Sequence, residues 1–379
     1  MIDLMDRGAS APDHRRKTAL SLAGAALRAV DAESVTSRVL RTMDLPRRLF
    51  MLAFGKAAVP MARAALRACP DAYGFVVGAS SFVHPGVTSF VGGHPWPCAD
   101  AEEHGRAVWK EANALKEGDV ALCLVSGGGS AMLELPARGH SLQEIKRVTR
   151  DALRRGVPIE RLNVRRAELS AFKGGGLARL MQPAQIHNVL ISDVPGSPPG
   201  VIASGATWTE GLSWTVAADN RTGQDALVDA GAALGLCLVR HEGVLRGEAR
   251  ETGARWMRSA ARLLDERPEI DGVVGGGETT VTIQGRGCGG RNGELVLGAA
   301  GALGDHLLLS LASDGVDGFS ESAGALLDAA GLRRGIDLNG RPEAALAQNN
   351  TAPWLRAAGL LLRSGPTETN VADLQLVLR

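Results

Sequence analysis

The 379 residues carry 42 Lys+Arg against 41 Asp+Glu, a net charge of +1, with 45% apolar and 22% charged residues. At about 150 residues per domain this length predicts two domains or three, and the composition is that of a globular chain able to bury a large core. The balanced charge argues against a nucleic-acid or membrane-surface partner, which needs a concentrated basic face.

No apolar run approaches the ~18 residues of a membrane span. The opening MIDLMDRGAS lacks the basic and apolar regions of a signal peptide, so a cytoplasmic location is expected. Five scattered cysteines, without C-x-x-C or H-E-x-x-H, make structural zinc unexpected and reduced thiols the plain reading. Only six lysines occur and none lies beyond Lys173. Any ammonium chemistry must therefore come from the first half, and any cationic clamp in the second half must be arginine.

In chain order, helical spacing through Leu20, Ala23, Leu27, Val30, Val35 and Val39 predicts a helical stretch over 17–41. Residues 49–54 read as a buried strand, followed by Gly55-Lys56 and a helix to about Ala68. Short strands are expected at 75–77, 120–125 and 186–191, with helices at 99–115 and 141–155. Ser141 and Glu144 form a capping-box pattern at the start of the latter helix. An amphipathic helix at 247–265 reads as a bridge between domains. Strands at 272–274, 281–283, 307–311 and 374–378 follow, with a helix near 292–303. Strands alternating with helices indicate α/β architecture with largely parallel sheets, and such sheets bind ligands at the carboxyl ends of their strands.

Glycine is abundant, 48 residues, and clusters at 127–129, 174–176, 275–277 and 285–290. Glycines at strand ends let backbone N–H groups approach a phosphate, although tight turns alone also explain a cluster. Ser126-Gly127-Gly128-Gly129-Ser130 and Gly275-Gly276-Gly277 are the cradle candidates. There is no P-loop. A G-x-G-x-x-G at Gly285, Gly287 and Gly290 is poorly placed for a dinucleotide, because Asp305 precedes the next strand where the ribose-binding acid should end it.

Lys56, after a buried strand and opening a helix, suits phosphate; a solvated surface lysine is the plainer alternative. Asp193, at a strand end, suits a metal or an acceptor hydroxyl, or a simple cap. Glu278 and Thr279, Arg291 and Asn292, and Asp314 and Asp317 make a second polar constellation. Arg291 there is a candidate bidentate anion clamp, and the two aspartates are candidate Mg²⁺ ligands or ordinary turn residues.

Eight segments in order resemble the glycerate 2-kinase family, whose C-terminal part is called MOFRL: AFGKAAVPMARAAL, GGHPWPCAD, LVSGGGSAMLELPARG, NVRRAELSAFKGGGLA, LISDVPGSPPGVIASGATW, GGGETTVTIQGRGCGGRNGEL, ASDGVDGFSESAGALLD and SGPTETNVADL. The resemblance implies two α/β domains with the active site in the cleft between them. The first, 1–240, is Rossmann-like with a largely parallel sheet. The second, 241–379, is a smaller MOFRL-like α/β domain with linker helix 247–265.

The resemblance also implies ATP and Mg²⁺, and phosphorylation of the 2-hydroxyl of D-glycerate, or a related small hydroxy acid, to 2-phosphoglycerate. On this reading Lys56, Asp193 and Arg291 are catalytic. Ser126–Ser130, Gly275–Gly277, Glu278 and Thr279 hold the nucleotide. Arg166, Lys173 and Asn292 hold substrate, and Asp193, Asp314 and Asp317 hold metal. The expected partners are the hydroxy acid and ATP, with a homodimer left open. The alternatives are an NAD(P)H-dependent hydroxypyruvate reductase and a non-catalytic metabolite-binding relative.

Departures from the family pattern fall at Ala167 and Glu168, at Ser197, at Ala206, and at Thr209 and Glu210. Lost positive charge near an anionic substrate would weaken its binding by about 1–3 kcal/mol.

Overall fold

A computed structural model describes residues 3–4, 14–154, 159–194, 196 and 198–379. Ser197 and most of the opening stretch read for a leader lie outside them. The chain divides into two compact units. One comprises residues 31–219 with 368–370; the other comprises the residues up to Val30, 220–367 and 371–379.

In the first unit, six strands form one sheet in which every pairing is parallel. They are Phe50–Phe54, Tyr73–Gly78, Val87–Val91, Val120–Ser126, Gln185–Ile191 and Trp214–Ala218. Counted in their own chain order they lie 3-2-1-4-5-6 across the sheet, the order of doubly wound dinucleotide folds. The central strands are apolar on both faces, as burial under helices requires; all five residues of Phe50–Phe54 are buried. Phe50, Leu52 and Phe54 share one core with Val108, Phe172, Leu177 and Met181.

The order reverses between Phe50–Phe54 and Val120–Ser126, which are paired from Phe50↔Ala121 to Phe54↔Val125. From one strand the chain leaves toward Tyr73–Gly78, from the other toward Gln185–Ile191. A crevice therefore opens outside the carboxyl ends of these two strands, where such sheets take their ligands.

The second unit departs from the largely parallel expectation. Its eight-stranded sheet runs Asp3–Leu4, Leu361–Arg363, Gly324–Leu327, Leu307–Ala312, Asp373–Leu378, Gly272–Thr280, Leu238–Arg240, with Leu245–Glu248 also on Gly272–Thr280. Only the last two pair in parallel; the other ladders are antiparallel. Side chains alternate between two cores. Leu307, Leu309, Leu311, Leu374 and Leu376 pack under helices His14–Ala29 and Asn220–Ala233. Leu308 and Val377 pack under Ala249–Glu266 and Arg291–Gly298.

Three expectations change. The predicted helix 17–41 is two helices, His14–Ala29 and Ala32–Leu40, broken where Asp31 caps the second. The first of them belongs to the second unit, because Ala19, Leu22, Ala23 and Ala26 are buried against that sheet. The boundary expected at 240/241 falls at 219/220, since Asn220–Ala233 and Leu238–Arg240 also belong to that sheet's unit. The expected linker helix is Ala249–Glu266 and lies wholly within one unit, where Trp256, Met257, Ala260 and Leu264 are core residues.

Candidate active site

At the switch point of the parallel sheet, Gly55 adopts φ +117°, and a Cβ there would enter the Ser126 carbonyl. Glycine thus lets the two strand ends touch. Lys56 N donates to Gly127 O at 2.9 Å and Ala57 N to Ser126 Oγ at 3.0 Å. The Gly127–Ser130 loop then turns through Gly128, left-handed at φ +79°, into the short helix Gly129–Met132.

Among the described residues, none of the Gly127, Gly128, Gly129 and Ser130 amides has a protein acceptor, yet Gly127 and Gly129 are buried. Buried amides are normally paired, so the Gly127 and Gly129 donors in particular are ones that an anion would satisfy. A Cβ on Gly128 would meet the Lys56 and His94 side chains, and one on Gly127 the Asp193 carboxylate and Asn370. Asp193 Oδ2 accepts from Asn370 Nδ2 at 2.8 Å. Lys56, Asp193 and the Ser126–Ser130 loop are thus brought together as the sequence suggested, with His94 and Asn370 added.

Behind the loop lies a second polar group. Ala203 and Ser204 are both left-handed (φ 48° and 57°) and Gly205 follows at φ 63°. A non-glycine residue there costs about 1–3 kcal/mol. The turn is held by Gly174 N on Ser204 O (3.0 Å) and Gly175 N on Gly205 O (2.8 Å). The 174–176 cluster therefore spends amides on this turn and is not an anion cradle.

Lys173, expected to hold substrate, is instead buried in an ion pair with Glu134, whose other oxygen accepts from Ser170 Oγ at 2.5 Å. Burial lowers the Lys173 pKa, opposed by Glu134. Arg166 Nε reaches Thr149 Oγ1 at 3.2 Å; burial lowers its pKa too, again against Glu134.

In the second unit the glycines do other work. Gly275–Gly277 lie inside the strand Gly272–Thr280, laddered from Gly275↔Gln375 to Gly277↔Asp373, and not at a strand end. A Cβ on Gly275 would press on the Trp256 ring at 3.1 Å, one on Gly276 on Asn220, and one on Gly277 (φ +154°) on the Leu245 backbone. They are glycines for close packing, and the cradle expected there is absent. Thr279 is buried in the same strand. The expected strand 281–283 is irregular chain.

The G-x-G-x-x-G loop is also spent internally. Gln284 N and Gly285 N donate to Asn349 Oδ1 (2.7 and 2.9 Å), Gly287 N to Gln348 O (3.0 Å) and Cys288 N to Asn350 Oδ1 (3.0 Å). These amides do not face a pyrophosphate.

Arg291 holds Asp373 through Nε (2.6 Å) and Nη2 (2.9 Å), and Glu278 through Nη1 (2.6 Å). Burial works against its charge, but the two carboxylates raise its pKa above the usual value. Three of the five N–H donors of a guanidinium are thereby used within the protein.

Asp317 is not placed as a metal ligand. Its Oδ1 accepts from Asn292 N and its Oδ2 from Gly293 N, both at 2.9 Å, so it caps the helix Arg291–Gly298. Burial pushes its pKa up to about 6 against those two hydrogen bonds. Asn292, expected to bind substrate, is buried between Asp317 and Ser310 Oγ, the latter at 2.5 Å. Asp314 Oδ1 accepts from Val316 N at 3.0 Å, a turn contact.

Known proteins match along nearly the whole length. Family models match residues 18–224, as a domain of unknown function (DUF4147), and 272–373, as the MOFRL family. A D-glycerate 2-kinase of Thermotoga maritima is 31% identical, over 96% of this chain and 98% of its own. A protein of Agrobacterium vitis, provisionally named a hydroxypyruvate reductase, is 32% identical over 88% of each. The crystal structure of a Thermotoga maritima glycerate kinase superposes with a TM-score of 0.88 at 30% identity, covering 97% of this chain and all of that one.

The chain belongs to the glycerate 2-kinase family.

Within that family, the departures of this member can be placed. Glu168 is exposed and pairs with Arg165 at 2.5 Å, and Ala167 lies against Gly174. Sequence reading missed His94, Glu134, Asn163, Ser204, Asn370 and Asp373. Asn370 and Asp373 sit within a matching segment. His94, Glu134, Asn163 and Ser204 also sit within matching segments, and that resemblance was their only signal.

Proposed function

We propose that this chain transfers the γ-phosphoryl group of ATP to the 2-hydroxyl of D-glycerate, or of a closely related small hydroxy acid, releasing 2-phosphoglycerate and ADP. The observation that carries this reading is the set of four amides without acceptors in Gly127–Ser130, beside Lys56 at the sheet's switch point. Phosphoryl transfer needs charge neutralised on equatorial oxygens and little covalent help. The amides and the Lys56 ammonium supply that. Arg291, catalytic on the sequence reading, keeps two N–H groups outside its carboxylate pairs.

Asp193 fits Mg²⁺ as a carboxylate at the loop, whereas Asp317, with both oxygens on backbone amides, does not. When bound, the metal would neutralise phosphate charge and leave Lys56 to follow the transferring group. The reductase alternative lacks support here, because the only G-x-G-x-x-G loop has given its amides to Gln348, Asn349 and Asn350.

In an assay of ADP release across a panel of hydroxy acids, D-glycerate should give the highest turnover. Lys56→Ala should lower kcat by about a thousandfold or more with the melting temperature unchanged. Near-normal turnover in that variant would remove the assignment.

A further inference from the structure

Ser204 Oγ donates to Asn163 Oδ1 at 3.1 Å, and Ser130 Oγ lies 2.8 Å from Ser204 Oγ. A hydroxyl has one proton. Ser204 spends its proton on Asn163, so Ser130 must donate to Ser204. Whatever else meets Ser130 Oγ meets only lone pairs. Ser130 is the last residue of the loop that carries the four donating amides, and it is half-buried. An acceptor there repels a phosphate oxygen and suits an O–H group.

We infer that Ser130 Oγ receives the hydrogen bond of the acceptor alcohol, with Ser204 and Asn163 as the residues that orient it. This rests on the kinase reading above. A serine hydroxyl is too weak a base to take the alcohol's proton; its role is to hold the O–H. The arrangement also accounts for the backbone at Ala203–Gly205. Three left-handed residues in a row, two of them not glycine, aim the Ser204 hydroxyl at Ser130 while the 174–175 amides clamp the turn.

The test separates hydroxyl from backbone. Ser204→Gly relieves the left-handed strain and deletes the hydroxyl; Ala203→Gly relieves strain and keeps it. For Ser204→Gly the expected result is a KM for D-glycerate raised about tenfold, with the KM for ATP within twofold and the melting temperature held or raised. Ala203→Gly should show wild-type constants for both substrates. An unchanged KM for D-glycerate in Ser204→Gly overturns the inference. So does a rise in the KM for Mg·ATP instead, which would make Ser130 a nucleotide or metal contact.

Calorimetric binding of D-glycerate to both variants keeps the two proposals apart. Should the wild type bind D-glycerate but release no ADP, the kinase reading falls. The inference is then judged on the binding ratio alone, a tenfold loss in Ser204→Gly supporting it and equal binding sinking it. A wild type that neither binds nor phosphorylates D-glycerate overturns both.

Discussion

Ser126–Ser130 and Gly275–Gly277 look alike in the sequence: three glycines after an apolar strand, followed by a polar residue. In the folded chain they are opposites. In the first, Gly127–Ser130 leave the strand, and their four amides have no acceptor among the described residues. The second stays in the strand, laddered to Asp373–Gln375, and needs its glycines because Trp256, Asn220 and the Leu245 backbone occupy the space of a side chain. What distinguishes a binding loop from a packing site is where its N–H groups go, and glycine content does not report it.

Alanine at each cluster should separate the two roles. In Gly127→Ala the new methyl would displace the Asp193 and Asn370 side chains, which can move. The expected result is a kcat/KM reduced by about 10²–10³, with the denaturant midpoint changed little. A variant active at wild-type level would break the contrast.

Gly277→Ala should do the reverse. Its φ of +154° and the Leu245 backbone cannot yield cheaply, so a stability loss of about 3 kcal/mol is expected. The molecules still folded should show unchanged kinetic constants, read by urea unfolding and by activity per folded enzyme.

The smallest effect concerns Asp317 as a helix-capping residue of the second unit. Asp317 titrates near pH 6 when folded and at its ordinary 3.8 when unfolded. A raised acid pKa means that the folded state holds the extra proton. The stability it adds, at most about 3 kcal/mol, is fully present below pH 3.8 and lost as pH rises through 6. Stability curves from pH 3 to 8 should show that fall in the wild type and not in Asp317→Asn.

Much of the first unit was legible because its signals are local. A buried apolar strand, a glycine and a lysine locate Gly55-Lys56, and Ser126–Ser130 follows the same grammar. Ser141 caps its helix as the spacing required, its Oγ accepting from Glu144 N at 3.2 Å. The second unit is harder to read, because its local grammar and its ladders disagree. Three glycines normally punctuate a chain, so local grammar ends the strand at residue 274, whereas the ladder carries it to Thr280. Partnerships across the chain were invisible: Glu134 with Lys173, Ser130 with Ser204 and Arg291 with Asp373 have no spacing rule that could announce them. The antiparallel ladders of residues 307–378 were hidden for the same reason, since a buried strand is apolar whichever way its neighbour runs.

The strand Asp373–Leu378 occupies the middle of its sheet, between Leu307–Ala312 and Gly272–Thr280. During synthesis both neighbours emerge first and wait with open edges. The helix His14–Ala29 waits longer still, for a bed partly built from Leu374 and Leu376. Closure of that half is therefore a late, long-range event, and a ribosome that stalls shortly before residue 373 would leave two sticky strand edges facing each other across an empty lane.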